Sequence, residues 1–182
     1  MAIDGVYRLP FVCCKTVEFM VPRCIFYLAV EDALLPRNAG RPGLLLSEVD
    51  SLRDSAHAGQ LTALLTGHEH IGVVVNSLWV ISLGFHFVLD TFPSALRHRV
   101  IGATVPGNRM LRSRRLTDTP GRCACLAADV KRRELACLTV LDSDALHVPV
   151  PLRDDAVIVQ RGLWAAQPDD WTRLRDTLAR TA

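Results

Sequence analysis

The sequence predicts a mainly β fold, a barrel or a sandwich of short strands, followed by one α-helix. Short apolar segments recur along the 182 residues, and proline, glycine and asparagine separate them, as turn residues separate strands. Examples are CIFYLAV (24–30), IGVVVNSLWVI (71–81) and ELACLTVLD (134–142), which are rich in the β-branched and aromatic residues that favour strands. Many short strands of this kind are typical of barrels and sandwiches.

Composition and the first residues limit the class of protein before any motif is considered. A chain of 182 residues fits one domain or two small subdomains, and 49% hydrophobic with 22% charged residues is typical of soluble globular chains. The net charge of +2 is too balanced to predict nucleic acid or an anionic membrane as the main partner. Because Asp4, Arg8 and Lys15 interrupt the pattern of a signal peptide, we expect a cytoplasmic protein.

An apolar run at residues 71–92 is long enough to cross a membrane as a helix. Polar side chains such as Asn76 and His86 lie inside it, and its valine, isoleucine, phenylalanine and tryptophan content suits strands better. A turn at residues 82–84 would divide the run into two strands of ordinary length. We therefore expect no direct membrane insertion. The alternative is a small membrane-associated protein anchored through residues 71–92.

The clearest helical pattern covers about residues 168–180, where a tryptophan and two leucines fall on one face at spacings of three and four. The segment LLSEVDSLRDSAHA (45–58) fits either a strand or a helix. The segment VPGNRMLRSRRLTDTPGR (105–122) is polar, basic and bounded by Pro-Gly pairs. Its composition indicates a long exposed loop.

The six cysteines predict neither a disulfide framework nor a metal site. In a chain without a secretion signal, cysteines are most simply reduced thiols packed as small hydrophobic side chains. The cysteines lack the C-x-x-C spacing that lets two thiolates hold one zinc ion, and His68 and His70 flank Glu69 without a regularly spaced third ligand. We expect no metal and no cofactor. The cysteines are Cys13, Cys14, Cys24, Cys123, Cys125 and Cys137.

The known catalytic motifs are absent from the sequence, and we expect that the chain is not an enzyme. It lacks the phosphate-binding loop, the dinucleotide fingerprint, the nucleophile elbow and the zinc-protease motif. Asp142 and Asp144 are more simply turn formers at a strand end than paired catalytic carboxylates. The alternative is an enzyme with a scattered site, in which Cys123 or Cys137 acts as the nucleophile with His147.

Four segments follow one another in the order found in the CheW-like family of chemotaxis coupling domains, which the chain resembles from about residue 15 to 148. VEFMVPRCIFYLAVEDALLP resembles the opening strand pair of that family, and GLLLSEVDSL resembles the element after it. LTALLTGHEHIGVVVNSLWVI resembles the family's hairpin, and RELACLTVLDSDAL resembles its last strand. The resemblance implies one domain over residues 1–182, made of two small SH3-like five-stranded β barrels with a groove between them.

The resemblance also implies a function, that of a non-enzymatic adaptor without a cofactor. Members of the family link the cytoplasmic tip of chemoreceptors to the regulatory domain of the histidine kinase CheA. Pro42 stands where the family has an arginine, and the nearest arginine is displaced by one position. The candidate partner-binding residues lie beside that position and in the apolar run, where large side chains either fill a barrel or line the groove. They are Arg41, Gly43, Asp50, Trp79 and Phe85.

Overall fold

A computed structural model of the chain describes residues 22–35, 53, 55–105 and 120–181. Its centre is a five-stranded sheet in which every strand is parallel to its neighbours, in the order β3-β2-β1-β4-β5. The strands are β1 (Cys24–Ala29), β2 (Ile71–Asn76), β3 (Val100–Ala103), β4 (Leu138–Asp142) and β5 (Ala156–Ile158).

Helices connect the strands and cover the sheet, as parallel strands require, because a parallel pair cannot be joined by a tight hairpin. The α-helices of the described residues are α1 (Ala56–Thr66), α2 (Trp79–Ser82), α3 (Phe85–Asp90), α4 (Ser94–Arg97), α5 (Arg122–Arg133) and α6 (Pro168–Ala179). Short 3-10 helices span Ala145–His147, Val150–Asp155 and Leu163–Ala165.

Both faces of the sheet are buried at its central strands β2, β1 and β4. Alternate residues of a strand point to opposite faces, so Phe26 of β1 belongs to one apolar core with Leu61 of α1 and Leu174 of α6. Its neighbour Tyr27 belongs to a second core with Leu126 of α5. Strands that are buried on both faces appear in the sequence as continuous apolar runs rather than alternating ones.

The expectation of a mainly β fold with two SH3-like five-stranded β barrels is wrong. The described residues form an α/β fold around one parallel sheet of five strands. The segments QLTALLTG, FHFVLDTF and CACLAADV have the length and apolar content of strands, but they lie in or overlap helices α1, α3 and α5. The physical reason is that a short apolar segment fits a buried strand and a buried helix equally well, so periodicity alone does not separate them.

The apolar run at 71–92 forms one strand and two short helices rather than two strands. Strand β2 is followed by α2 and α3, and Gly84, with a φ of 98°, separates the two helices in a backbone conformation that favours glycine. The segment predicted to be a hairpin thus contains the second half of α1 and strand β2. Within the described residues, no helix combines the length and the apolar content needed to span a membrane.

Helix α6 lies where the sequence pattern places a C-terminal helix. It begins with a capping box, in which the side chain of Gln167 accepts from the backbone N–H of Asp170 and the Asp170 carboxylate accepts from the backbone N–H of Gln167. Trp171, Leu174 and Leu178 are buried on its inner face. The helix therefore docks on the sheet through its apolar stripe.

Candidate ligand site at the carboxyl edge of the sheet

The carboxyl ends of the five strands meet along one edge of the sheet, which we call the carboxyl edge. From β1 the chain proceeds to β2 and β3 on one side, whereas β4 and β5 lie on the other side of β1. The gap between β1 and β4 is therefore a topological switch point, where open α/β sheets bind their ligands. Polar residues with little exposure follow the strands there: Glu31 after β1, Asn76 at the end of β2 and Asp142 at the end of β4.

Arg122 links the two carboxylates of the carboxyl edge. It is the first residue of α5, and its side chain is 5% exposed. Its Nη2 donates to Asp142 Oδ1 at 2.5 Å. Its Nη1 lies 3.6 Å from Glu31 Oε2 and donates to the main-chain carbonyl of Glu31 at 3.0 Å. Because a guanidinium carries only donors and stays charged, it holds the ends of β1 and β4 together through both acids.

His147 completes this cluster from the 3-10 helix that follows β4. Its Nδ1 lies 2.6 Å from Arg122 Nη2 and 3.2 Å from Asp142 Oδ1. A ring nitrogen either carries a proton or accepts one, so Nδ1 accepts from Arg122 in one tautomer and donates to Asp142 in the other. The side chain of His147 is 31% exposed, so the ring connects the buried cluster with solvent.

The turn after β4 fixes the position of Asp142. Its Oδ1 accepts from the backbone N–H of Ser143 at 2.8 Å and of Asp144 at 3.2 Å. Asp144 Oδ1 in turn accepts from the backbone N–H of Leu146 at 2.9 Å. Such bonds from the backbone to an aspartate are typical of turns. The two aspartates are therefore turn formers, but the Asp142 carboxylate also belongs to the cluster.

Glu31 enters the cluster from the turn after β1. Its Oε1 accepts from the backbone N–H of Trp79 at 2.9 Å, and Ser77 also hydrogen-bonds to the carboxylate. Burial raises the pKa of Glu31, and this effect outweighs the hydrogen bonds and the nearby Arg122, which lower it. The surroundings of Glu31 therefore penalise its negative charge.

Among the described residues, the cluster has more acceptor atoms than its donors satisfy. Within this part of the chain, Glu31 and Asp142 share the guanidinium of Arg122. In the part of the chain that the structure describes, Glu31 Oε2 and Asp142 Oδ2 are buried without a hydrogen-bond donor, and Asn76 Nδ2 is buried without an acceptor. Native proteins leave few buried polar atoms in this state, and those few are explained by a bound water, a bound ion, strain or a functional role.

A cavity of about 450 Å³ opens next to this cluster. Its lining follows the ends of β1, β4 and β5, and it combines acidic groups, one arginine and the ring of a tryptophan that is 39% exposed. A concave site with an aromatic wall and a few polar groups is typical of small-molecule sites. The lining residues are Asp32, Ser143, Asp144, Gln160, Arg161 and Trp164.

The turn that carries the cavity wall depends on Gly162. Its φ is 75°, a backbone conformation that residues with a Cβ rarely adopt. A Cβ at this position would also overlap with the ring of Trp164. The glycine therefore allows the tryptophan to lie against the turn, where it lines the cavity.

Of the predicted partner-binding residues that the structure describes, Trp79 contacts the cluster through its backbone N–H, and neither Trp79 nor Phe85 lines the cavity. Arg41, Gly43 and Asp50 are outside the described residues. Trp79 and Phe85 are the first residues of α2 and α3, and both side chains pack, partly buried, against the larger apolar core. Of the two possibilities considered for these aromatic residues, their surroundings favour a packing role.

The alternative cysteine and histidine site is also not assembled as the sequence suggested. Cys137 precedes β4 and His147 follows it, so the two side chains lie at opposite ends of that strand. Cys123 is partly exposed and follows Arg122 in α5. Within residues 22–35, 53, 55–105 and 120–181, no group of three or more His, Cys, Asp or Glu side chains could hold a metal ion.

Sequence reasoning missed Glu31 and Arg122 as site residues. Glu31 carried a usable signal, because it directly follows the uncharged strand segment CIFYLAV, where a charged side chain marks the strand end. Arg122 carried none, since it is one of several arginines in a segment that is basic throughout. Only the packing of α5 against the sheet brings it to the two carboxylates.

The fold and the carboxyl edge define a class: an open α/β protein of parallel strands with a polar site at its topological switch point. Comparisons with family models, curated proteins and solved structures found no match. Because a fold of this kind hosts many unrelated functions, the function has to be argued from the site.

Proposed function

We propose that the chain binds a phosphate ester together with a divalent cation at the carboxyl edge. One observation carries this proposal: among the described residues, Glu31 and Asp142 share the Arg122 guanidinium, and each keeps one buried oxygen without a hydrogen-bond donor. A buried carboxylate oxygen without a donor is costly, and so is a second negative charge beside one guanidinium. A cation at the two free oxygens removes that cost, and so the folded chain should favour its binding.

A divalent cation of the magnesium type fits the number and kind of these groups. Mg²⁺ prefers oxygen ligands and is usually held by one or two carboxylates, while water and substrate phosphate complete its shell. Two carboxylate oxygens are what Glu31 and Asp142 offer. The amide of Asn76, whose Oδ1 accepts from the Thr104 hydroxyl at 3.0 Å, can present an oxygen instead of Nδ2 if it rotates by half a turn.

A phosphate group fits the positive side of the same edge. Arg122 stands at the start of the 12-residue helix α5, where the helix dipole and free backbone N–H groups favour an anion. Once a cation has compensated the carboxylates, Arg122 and the cation together attract a phosphate. The adjoining cavity, with Arg161 and Trp164 in its wall, leaves room for the remainder of the ester.

The proposed function is binding rather than turnover. The hydroxyl groups of Ser77 and Thr104 are at or near this edge, but both residues are buried and do not line the cavity. Ser143 lines the cavity, but among the described residues no base hydrogen-bonds to its hydroxyl group. The thiol of Cys137 lies at the other end of β4. A covalent mechanism needs a nucleophile that can reach the substrate. The expectation that the chain is not an enzyme is therefore kept as part of the proposal.

Isothermal titration calorimetry tests the proposal with Mg²⁺ alone, ribose 5-phosphate alone, and the ester in the presence of Mg²⁺. We expect the ester to bind only with Mg²⁺, and Asp142→Asn to weaken that binding by more than about tenfold, which is at least about 1.4 kcal/mol. Asp90→Asn is the matched control, because the Asp90 carboxylate is exposed and pairs with Arg97, away from the carboxylates of the cluster.

Two outcomes would contradict the proposal. The first is no heat of binding for Mg²⁺ or for the ester with Mg²⁺, tested with Mn²⁺ and several other phosphate monoesters as well. The second is equal binding by wild-type protein, Asp142→Asn and Asp90→Asn. Release of inorganic phosphate, measured in the same mixtures, would contradict the part of the proposal that excludes turnover.

The adaptor function stays a prediction, and so do its partners, a histidine-kinase regulatory domain and a chemoreceptor tip. It now lacks the two barrels on which its groove depended. A pull-down of both partners at low salt, where weak electrostatic contacts are strongest, tests it directly. Capture of neither partner would leave the adaptor function without support.

A further inference from the structure

Two cysteines that are 113 residues apart in sequence lie side by side at the amino ends of β1 and β4. Cys24 is the first residue of β1, and Cys137 directly precedes β4. The next residues, Ile25 and Leu138, are register partners, and the backbone N–H of Ile25 donates to the Cys137 carbonyl at 3.2 Å. The strand pairing itself therefore places the two cysteines opposite each other.

The sulfur atoms of this pair are 2.6 Å apart, whereas a covalent S–S bond is about 2.0 Å long. Neighbouring strands of a sheet lie about 4.8 Å apart, and that spacing falls within the range of about 4.4 to 6.8 Å between the Cα atoms of disulfide-bonded cysteines. Closing the bond therefore requires only a small movement of the two side chains.

We propose that Cys24 and Cys137 are a reversible redox pair that forms an intramolecular disulfide when the protein meets a peroxide. This proposal is independent of the ligand site at the carboxyl edge. It also changes the interpretation of both residues, which the sequence suggested were isolated reduced thiols.

Access favours Cys137 as the first thiol to react. Cys137 is partly exposed and lines a cavity of about 430 Å³ with Thr177, Arg180 and Thr181, whereas Cys24 is 1% exposed. Burial, with the adjacent Cys137 thiol, raises the pKa of Cys24 to about 12. Cys137 is thus the thiol that reacts with the oxidant, and Cys24, which stays protonated, reacts afterwards with the oxidised sulfur of Cys137.

The reaction balances in two steps. The Cys137 thiolate attacks one oxygen of hydrogen peroxide, the O–O bond breaks, and hydroxide leaves with Cys137 oxidised to a sulfenic acid. The sulfur of Cys24 then attacks the Cys137 sulfur, and the sulfenic hydroxyl leaves with the Cys24 proton as water. In total, two thiols and one hydrogen peroxide give one disulfide and two water molecules. A dithiol reductant restores both thiols by exchange.

Peptide mapping of peroxide-treated, folded protein tests this proposal. Trypsin releases Cys24 in the peptide 24–37 and Cys137 in the peptide 134–153, and neither peptide contains another cysteine. We expect these two peptides to be cross-linked after oxidation and separate after reduction. Cys137→Ser should abolish the cross-link, and Cys123→Ser, which changes another partly exposed thiol, should leave it unchanged.

Thermal unfolding gives a second readout. Because the cross-link closes a long loop, we expect the oxidised wild-type protein to unfold at least about 5 °C above its reduced form, and Cys137→Ser to show no such rise. If Cys137→Ser fails to fold, Cys24→Ala replaces it in both measurements. The proposal is overturned if peroxide oxidises Cys123 or Cys137 to higher acids while peptides 24–37 and 134–153 remain unlinked.

Discussion

Asp129 and Asp142 are both completely buried acids, yet their surroundings differ in kind. Asp129 Oδ2 accepts from the Tyr27 hydroxyl at 3.0 Å and from Arg133 Nε at 2.7 Å, while its Oδ1 is paired with Arg132. Both oxygens of Asp129 are therefore bonded. Asp142 shares its arginine with a second acid, and one of its oxygens has no donor among the described residues.

The difference separates a structural charge from a charge suited to binding. Asp129 has two arginines to itself, and it ties α5 to β1 through Tyr27. Such a network, in which every carboxylate oxygen has a donor, favours one arrangement of the fold and leaves no carboxylate oxygen for a ligand. Asp142 lies at the switch point, where, among the described residues, two carboxylates share one guanidinium. An aspartate thus stabilises the fold at position 129, whereas at position 142 we propose that it binds a cation.

The largest expected effect comes from removing the positive charge of Arg122 at the carboxyl edge. Arg122→Met leaves Glu31 and Asp142 buried without their partner, and we expect it to lower the free energy of unfolding by about 3 to 5 kcal/mol. Urea unfolding measures this loss. The control is Arg97→Met, since Arg97 belongs to an exposed ion pair with Asp90 and should cost under about 1 kcal/mol. If Arg122→Met and Arg97→Met lower the free energy of unfolding equally, the charge of Arg122 does not stabilise the carboxyl edge.

A smaller loss is expected at the balanced acid. Asp129→Asn keeps the size of the side chain but replaces charge-assisted bonds to Arg132 and Arg133 by neutral ones, at a cost of about 1.5 to 3 kcal/mol. Ligand binding at the carboxyl edge should not change. Urea unfolding and calorimetry on the same preparation measure both. Loss of ligand binding with intact folding would remove the distinction between the two acids.

A third effect concerns the wall of the cavity. Gly162→Ala introduces a Cβ where φ is 75° and where the ring of Trp164 lies, so we expect a loss of about 1 kcal/mol of stability and weaker binding of the phosphate ester. Gly67→Ala is the control, because Gly67 precedes β2 at the other end of the sheet, its φ is −70°, and a Cβ there meets the Leu64 carbonyl oxygen at an ordinary 3.6 Å. If Gly162→Ala binds the phosphate ester with the wild-type affinity, the ring of Trp164 is not part of the ligand site.

The smallest effect is a dependence on pH. Because the pKa of Glu31 is raised in the folded chain, the folded state takes up a proton there more readily than the unfolded state. Wild-type protein should therefore gain stability relative to Glu31→Gln as the pH falls from neutral through the raised pKa, and the gain should be complete below the ordinary value of 4.5. Glu69→Gln, at an exposed position, serves as the control. Parallel melting-temperature curves for wild type and Glu31→Gln would contradict the raised pKa.

The sequence allowed part of this fold to be predicted. The segments CIFYLAV, IGVVVN and ELACLTVLD contain strands β1, β2 and β4, because β-branched and aromatic residues favour a pleated, buried surface. What the sequence did not show was that the strands are parallel. Two buried faces remove the alternation that distinguishes one sheet type from another, and the short connecting helices resemble strands in length and composition.

The site was less predictable than the fold. Asp142 was correctly interpreted as a turn former, but its second role depends on an arginine from α5 and a glutamate from the end of β1, which meet only in the folded chain. The local sequence around each residue does not indicate that the three side chains are in contact. The general rule that switch points bind ligands becomes useful only after the order of the strands is known.

The most direct test of the central claim is the change in melting temperature on adding Mg²⁺, measured for wild type, Asp129→Asn and Asp142→Asn. A cation that binds only the folded chain must raise its melting temperature. We expect a rise for wild type and for the less stable Asp129→Asn. Asp142→Asn should show little or no rise while losing less than about 1 kcal/mol of stability, because removing one of two crowded carboxylates offsets the lost bond to Arg122. Equal rises in all three proteins, or none in wild type, would contradict the claim that the unbalanced charge at the carboxyl edge is a ligand site.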